Sequence, residues 1–307
     1  MANGNYHIPV MLKESIAGLA LQPGGTYIDL TFGGGGHSKE ILSRLDKGRL
    51  IAFDQDPDVR DHLFHNDIFL FINHNFRFMK NFLEYNRVGQ VDGVLADLGV
   101  SSYQLDKEER GFSYRFDSPL DMRMSPGIRE GAKEIINKGS RERLTRIIKE
   151  YGELSRAGYW ADNIIRARAA SPIETTGQLV ESVRILLKKG KENKDLSKFF
   201  QALRIEVNKE IEGLEEMLMQ CIDCVKPGGR LVIMSYHSIE DRIVKNFINT
   251  GNTEGIVRKD FFGNKLAPFR AVNRKVILAG EEEVERNSRA RSARLRIAER
   301  NRNEEEK

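Results

Sequence analysis

The sequence predicts a doubly wound, Rossmann-like α/β fold interrupted by a small inserted helical domain. Three observations carry this. The run Tyr27-Ile28-Asp29-Leu30-Thr31-Phe32-Gly33-Gly34-Gly35-Gly36-His37 reads as a strand ending at an acid, a glycine turn and a helix start. Short apolar segments recur at the spacing of βαβ units. The interval from Ala96 to Arg230 is far longer than the roughly twelve residues of a crossover, and helical patterns fill it.

The candidate strands are residues 26–30, 49–53, 68–72, 92–96 and 230–234, with later ones at 275–278 and 293–298. Behind the glycine turn, Ile41, Leu42 and Leu45 mark a helix. Glycines there permit positive φ and let a ligand approach the backbone with no Cβ in the way. The helix start adds free N–H groups. Within the long interval, Leu144, Ile147, Ile148 and Tyr151 share one helical face. Trp160, Ile164 and Ile165 mark a second helix, and Val180, Val183 and Leu187 a third. Leu203, Val207, Ile211, Leu214 and Leu218 form one stripe, read as a single long helix returning to the sheet. Lys226-Pro227-Gly228-Gly229 ends it and turns the chain into the strand at 230–234. The expected division is a discontinuous sheet domain, 1–108 and 200–307, around a helical insertion at 109–199. The polar tail from Asn301 to Lys307 reads as frayed.

With 307 residues and 40% hydrophobic content, the chain is long enough for one large or two modest domains with a real core. No run reaches the roughly 18 apolar residues of a membrane span, and the N-terminus lacks the basic-then-apolar order of a signal peptide. Two cysteines, Cys221 and Cys224, argue against a disulfide scaffold and for a reducing cytoplasm. Their spacing is half of a redox or zinc motif, but no second pair exists, and one helix face suits both as core residues. His62, His65 and His74 show no metal spacing, and Asp54, Asp56 and Asp58 read as an acidic loop, so no metal is expected. The net charge of +4 is unevenly placed. Arg286, Arg289, Arg291, Arg294, Arg296 and Arg300 crowd the C-terminus, and Lys188, Lys189, Lys191, Lys194 and Lys198 form a second cluster. Such clusters either meet phosphate backbones or form solvated faces. Arg294 and Arg296 alternate with Leu295 and Ile297, either as a grip on RNA phosphates or as a charged edge strand.

Asp54 closes the second strand, where an acid binds ribose hydroxyls in a nicotinamide enzyme or in a methyltransferase. The glycine loop does not separate the two: Gly-x-Gly-x-x-Gly would need glycine where Ser38 stands. The fourth strand is more telling. It ends Val94-Leu95-Ala96-Asp97-Leu98-Gly99-Val100-Ser101-Ser102, with Asp97 at the carboxyl edge where ligands bind. Hydride transfer has no obvious need of that acid, whereas an amino-group methyltransferase does. The exocyclic nitrogen of a base is weakly nucleophilic because its lone pair is delocalised into the ring. Acceptors that hold the amino hydrogens expose it, and orientation toward a methyl donor does much of the rest. The bland alternative for Asp97 is a helix cap or turn former. His37 either contacts the cofactor or caps the helix after the loop. His237, in His-Ser-Ile-Glu-Asp-Arg, either orients a base or accepts a proton, or braces its loop through Glu240, Asp241 and Arg242.

Motifs along nearly the whole chain, in the same order, resemble those of the bacterial ribosomal RNA cytosine-N4 methyltransferase family (RsmH, or MraW). They are His7-Ile8-Pro9-Val10-Met11, the segment 29–38, Asp54-Gln55-Asp56-Pro57, the segment 91–102, Gln104-Leu105-Asp106, Arg110-Gly111-Phe112-Ser113 and Pro119-Leu120-Asp121-Met122-Arg123-Met124. Then come Phe200-Gln201-Ala202-Leu203-Arg204-Ile205, Val207-Asn208, Pro227-Gly228-Gly229-Arg230-Leu231, His237-Ser238-Ile239-Glu240-Asp241-Arg242 and Arg289-Ala290-Arg291-Ser292-Ala293.

The resemblance implies a Rossmann-like methyltransferase fold and S-adenosyl-L-methionine as cofactor. It implies methylation of N4 of a cytidine in the decoding region of 16S ribosomal RNA. The partner it implies is the small-subunit RNA within an assembled or nearly assembled subunit, in the cytoplasm and away from membranes. The oligomeric state is open, a homodimer included. Implied cofactor contacts fall on Gly35, Gly36, His37, Asp54, Phe76, Asp97 and Gln104. Asp54 would meet the ribose hydroxyls, Phe76 the adenine, and Asp97 would lie nearest both cofactor and base. The catalytic candidates are Asp97 and His237. No dedicated base is required, because the methylated amine is acidic enough to lose its proton to water. The insertion and the basic C-terminus would position RNA, with the cytidine splayed from any stack.

The chain departs from the family pattern in four places. Tyr103 stands for a usual proline, and Asp195-Leu196-Ser197-Lys198-Phe199 for a segment that carries an arginine. Leu154 replaces a glutamate and Ser288 a proline. The alternatives are a methyltransferase with another nucleic-acid target, a nicotinamide dehydrogenase, and a non-catalytic RNA-binding or ribosome-assembly factor that keeps the fold.

Overall fold

The structure, a computed structural model, describes residues 9–100 and 108–302. Among these residues one sheet contains β1 (Thr26–Asp29), β2 (Arg49–Phe53), β3 (Phe69–Ile72), β4 (Val91–Asp97), β5 (Val225–Ser235), β6 (Phe269–Ala271), β7 (Ile277–Leu278) and β8 (Arg294–Arg300). The order is β3-β2-β1-β4-β5-β8-β6, with β7 paired to β8. β1 to β5 run parallel, and β8 runs antiparallel to β5, β6 and β7. A strand covered on both faces reads as an unbroken apolar run. Accordingly Ile28, Leu50, Ile51, Phe53, Val94, Leu95 and Val232 have no exposed surface.

The strand order reverses between β1 and β4, and a crevice opens there at the carboxyl ends of the strands. The registers pair Asp29 with Leu95 and Asp97 with Met234, so these ends lie side by side. The helix α1 (Leu12–Leu19) packs on β4 and β5, and α2 (Gly36–Leu42) packs on β2. A third helix, α3 (Met79–Tyr85), follows β3. An antiparallel β8 between β5 and β6 departs from the all-parallel six-strand order of dinucleotide-binding folds. That departure disfavours the dehydrogenase alternative.

The chain divides into two compact units. One runs to Gly99 and resumes at Glu212; the other spans Val100–Ile211. These junctions differ from those read from the sequence, at 108/109 and 199/200. The second unit holds α4 (Ala132–Lys138), α5 (Arg141–Glu150), α6 (Ala157–Ala170), α7 (Thr176–Val183) and α8 (Glu192–Asn208). Ser140 caps α5 by accepting from the Arg143 N–H, and Thr175 with Gln178 forms a capping box for α7. Their apolar faces enclose Ile147, Ile148, Trp160, Phe199, Phe200 and Leu203 in a single core.

Three sequence expectations need correction. The stripe from Leu203 to Leu218 is not one helix: α8 ends at Asn208, and α9 (Glu210–Cys224) begins after Lys209, which is left-handed at φ 53°. The apolar period runs through the break unchanged, so periodicity could not mark it. Arg204 pairs with Glu210 through two 2.8 Å hydrogen bonds, a contact that positions six apart on a straight helix would not make. The Pro-Gly-Gly segment does not precede the fifth strand; β5 already starts at Val225, with a register shift against β4 between Val91 and Gly93. The strand of Arg294 and Arg296 is not an edge strand, since β8 lies inside the sheet. The three-residue β6 had no sequence signal. After β5 come α10 (Ser238–Thr250) and, ahead of β8, α11 (Glu281–Arg286).

Candidate active site

The loops leaving β1, β2 and β4 build the site. Asp29, at the end of β1, is fully buried. Its Oδ1 accepts from the Thr31 N–H (3.1 Å) and its Oδ2 from the Ser38 hydroxyl (2.7 Å), which fastens both ends of the glycine loop. Burial raises its carboxyl above the usual range even against these donors. Within the loop, Gly33 (φ 50°) and Gly35 (φ 72°) are left-handed, a conformation that side chains other than glycine's resist. A Cβ on Gly33 would stand in open space, its nearest neighbour the Thr31 carbonyl oxygen at 3.9 Å. The backbone at Gly33 is therefore uncovered on its Cβ side.

Asp54 follows β2. Its Oδ2 accepts from the Gly33 N–H (2.8 Å) and its Oδ1 from the Asp56 N–H (2.9 Å). One acid thus ties the glycine loop to the loop after β2. Burial pushes its carboxyl up to about 6, against the pull of those two N–H donors. Phe76 opens a short 3-10 turn after β3, half-buried. Asn75, which caps that turn, donates to Gln55 Oε1 (2.7 Å) and joins the loops after β2 and β3.

Asp97 ends β4. Its N–H donates to Thr31 Oγ1 (2.7 Å), and its Oδ1 accepts from the Tyr236 hydroxyl (2.6 Å). Its Oδ2 has no hydrogen-bond partner among the described residues. Burial pushes this carboxyl up to about 6, opposed by the nearby His37 and by the Tyr236 donor. Burial, and then Asp97 itself, raise the Tyr236 hydroxyl far above the usual phenol range, so it stays a proton donor. Sequence reasoning missed Tyr236 and the Thr31 side chain. The available signal was placement: Tyr236 is one residue past β5, whose end lies beside that of β4.

The structure gathers Gly33, Gly35, Gly36, Asp54, Phe76 and Asp97 on loops at one sheet edge. Two histidines have protein partners of their own. The His37 side chain is buried, with Nε2 at 3.2 Å from the Val10 carbonyl oxygen. His237 caps α10: Nδ1 accepts from the Glu240 N–H (3.4 Å), and Nε2 lies 3.1 Å from Glu240 Oε1. That is the loop-bracing alternative, carried by Nδ1; Nε2 is buried beside the Glu240 carboxylate without a hydrogen bond of its own. Gln104 and Tyr103 lie outside the described residues.

Of the other sequence candidates, Cys221 and Cys224 are buried and free. Burial pushes the Cys224 thiol up to about 11 and Cys221 higher still, as suits inert core residues. No metal-holding cluster exists among the described residues. Arg296 pairs with Asp241 at 2.7 Å, and Arg294 lies 3.5 Å from the same carboxylate. These two therefore anchor α10 to β8. In the helical unit, Lys188, Lys191, Lys194 and Lys198 join Arg156 around a cavity of about 680 Å3, together with Glu153 and Asp195.

The residues fit a nucleotide-like cofactor: bare backbone at Gly33, an acid at the end of β2 and another at the end of β4. Comparison with known proteins points the same way. A family model described as the MraW methylase family matches residues 4–301. The ribosomal RNA small subunit methyltransferase H of Bacteroides fragilis is 53% identical over 295 residues, covering 96% of this chain and 97% of that protein. The protein of the same name from Bacteroides thetaiotaomicron shows the same identity and coverage. That of Christiangramia forsetii is 51% identical over 294 residues, covering 95% and 97%.

Proposed function

Since the chain belongs to the MraW methylase family, we propose that it methylates N4 of a cytidine in the decoding region of 16S ribosomal RNA, with S-adenosyl-L-methionine as donor. The observation that carries this is Asp97 at the crevice: Thr31 holds its N–H, its carboxylate accepts from Tyr236, and its second carboxylate oxygen has no hydrogen-bond partner among the described residues. When bound, the donor supplies an electrophilic methyl group on a sulfonium centre. The chain's own residues supply position and hydrogen-bond acceptors.

In this reading the uncovered backbone at Gly33 lets the donor approach the loop, whose Gly35 and Gly36 pack closely against Phe32 and Pro9. Asp54 receives the ribose hydroxyls, and Phe76 lies against the adenine. Asp97 Oδ2 accepts a hydrogen bond from the N4 amino group. Holding that hydrogen draws electron density onto nitrogen and fixes its lone pair toward the methyl. Asp97 would hold N4 toward the methyl group that the donor would supply, the sulfonium sulfur keeping the bonding pair. The N4 proton then passes to water. His237, which accepts from the Glu240 N–H through Nδ1, is a positioning residue for the start of α10. His37 sets the glycine loop against Val10.

The helical unit would position the RNA. Its five cations around one cavity suit a phosphate backbone. The substrate would be the RNA of an assembled or nearly assembled small subunit.

The test is transfer of labelled methyl to small subunits from a strain lacking the enzyme, followed by nucleoside analysis. Label in N4-methylcytidine is expected. Label in another nucleoside would keep the methyltransferase and overturn the target. No transfer despite donor binding would favour an assembly role without catalysis.

A further inference from the structure

Downstream of α10 the chain makes a tight turn whose tip shows two aromatic rings to solvent. Phe261 is 98% exposed and Phe262 83%. Single exposed apolar residues are ordinary, but two adjacent bare phenyl rings are not. The turn that carries them is built rather than loose. Asp260 Oδ1 accepts from the N–H groups of Phe262 (2.9 Å) and Asn264 (2.8 Å), and its Oδ2 from Asn264 Nδ2 (3.0 Å). The backbone closes beneath it: Asp260 N–H to the Asn264 carbonyl (2.9 Å), Gly263 N–H to the Asp260 carbonyl (3.1 Å) and Leu266 N–H to the Arg258 carbonyl (2.9 Å). The ring planes are nearly perpendicular, at 87° with centroids 5.7 Å apart, so the two rings face different directions.

Three cations and a single acid flank the rings within residues 258–265. Arg258, Lys259 and Lys265 are exposed, and none has an ion-pair partner among the described residues. Lys259 and Lys265 face each other across the stem in an isolated bridge. Asp260, the one carboxylate between Arg258 and Lys265, is engaged by the turn's own donors. Aromatic faces bracketed by unpaired cations match a single strand of nucleic acid, whose bases stack and whose phosphates attract. A protein-docking patch would be depleted in lysine at this place.

We propose that the turn at 258–265 is a second contact for the RNA substrate, with Phe261 and Phe262 stacking on unpaired bases and Arg258, Lys259 and Lys265 meeting the adjacent phosphates. The inference rests on reading the substrate as ribosomal RNA. Its geometry is set by Asp260, so the rings are presented before RNA arrives and little ordering is needed on binding.

The test compares three full-length proteins: wild type, Phe261→Ala/Phe262→Ala, and Phe261→Trp/Phe262→Trp. Affinity is measured for deproteinised small-subunit RNA and for intact small subunits, and thermal unfolding and donor binding are measured beside it. The rings are exposed, so both variants should unfold and bind donor as wild type does. The alanine variant should bind deproteinised RNA about tenfold more weakly or worse, the loss for about one stacked base. The tryptophan variant should keep wild-type affinity. Equal RNA affinity of the alanine and wild-type proteins overturns the proposal. So does failure of the tryptophans to rescue, or a loss seen with intact subunits alone, which would make the partner a ribosomal protein. Absence of RNA binding by wild type overturns it as well. Methyl transfer by the wild-type protein reports separately on the reading of its activity, so the two failures stay distinct.

Discussion

The Tyr236 hydroxyl donates a 2.6 Å hydrogen bond to Asp97 Oδ1, joining the neighbouring ends of β5 and β4. Burial raises the Asp97 carboxyl to about 6, and this donor restrains the rise. The charged form of Asp97 is the better acceptor for an amino hydrogen. Activity should therefore fall as pH drops through about 6. Tyr236→Phe removes a hydrogen bond to a charged group, a loss of roughly 1.5–3 kcal/mol. The acid limb of the kcat profile should move up by roughly one pH unit or more. Activity should recover in alkaline buffer. A variant with an unmoved acid limb and a uniformly lower rate would show that Tyr236 shapes the site without tuning Asp97.

Asp97→Asn keeps the size of the side chain but replaces one acceptor oxygen with a donor. The amide can still receive from Tyr236, yet it presents an N–H group where the N4 hydrogen should be accepted. Methyl transfer should drop by about 10²–10³, the cost of losing one preorganised electrostatic contact. Donor affinity should change far less. Calorimetric titration of the donor beside single-turnover methyl transfer separates the two effects. Loss of donor binding equal to the loss of rate would assign Asp97 to the cofactor alone.

The site was only partly legible in the sequence, for physical reasons. Parallel strands buried on both faces leave unbroken apolar runs, so Leu50 to Phe53 announced β2 and Asp54 its end. Asp97 was legible because it ends such a run. Tyr236 was not, because its partner lies 139 positions away and only the sheet order brings the two together. The arginines of β8 read either as a grip on RNA phosphates or as a solvated edge, since their partner Asp241 sits on a helix whose placement the sequence does not reveal. Lys209 could break a helix unseen because the left-handed turn preserves the apolar stripe on either side.

Asp54 holds the glycine loop through the Gly33 N–H and would also meet the ribose. Asp54→Ala should weaken donor binding by about 10- to 100-fold, the range expected for hydrogen bonds to a charged group. Wild-type affinity should fall as pH is lowered through about 6, where the carboxylate takes up a proton. The linkage sign for folding is opposite. A carboxyl raised on folding favours the native state when protonated, so that contribution is lost as pH rises through the same range. The bound donor should therefore add more to thermal stability at pH 7.5 than at pH 5.5. Equal donor-induced shifts at the two pH values would remove Asp54 from cofactor binding.

Glu206 is the helical unit's buried acid, 2% exposed, with Arg146 at 2.8 Å, Arg143 at 3.0 Å and Lys209 at 3.3 Å. Burial alone would raise its carboxyl, but the Arg146 bond, the charge of Lys209 and the Arg143 bond outweigh it and hold the pKa below the usual range. A carboxylate depressed on folding contributes stability above its unfolded pKa, and that contribution disappears as pH falls through the lower folded value. Glu206→Gln should destabilise the unit by about 2 kcal/mol at pH 7. That is less than the ~3–5 kcal/mol of a fully buried pair, because Arg143 and Arg146 stay partly in water. The difference from wild type should narrow as pH falls below the ordinary glutamate range and close only as it passes through the lower folded value. Trp160 gives a selective readout: it is the chain's single tryptophan and is buried in this unit's core. Urea unfolding followed by its fluorescence should show the two midpoints converging as pH is lowered. A gap that does not narrow at all as pH is lowered would mean that Glu206 acts through packing rather than charge.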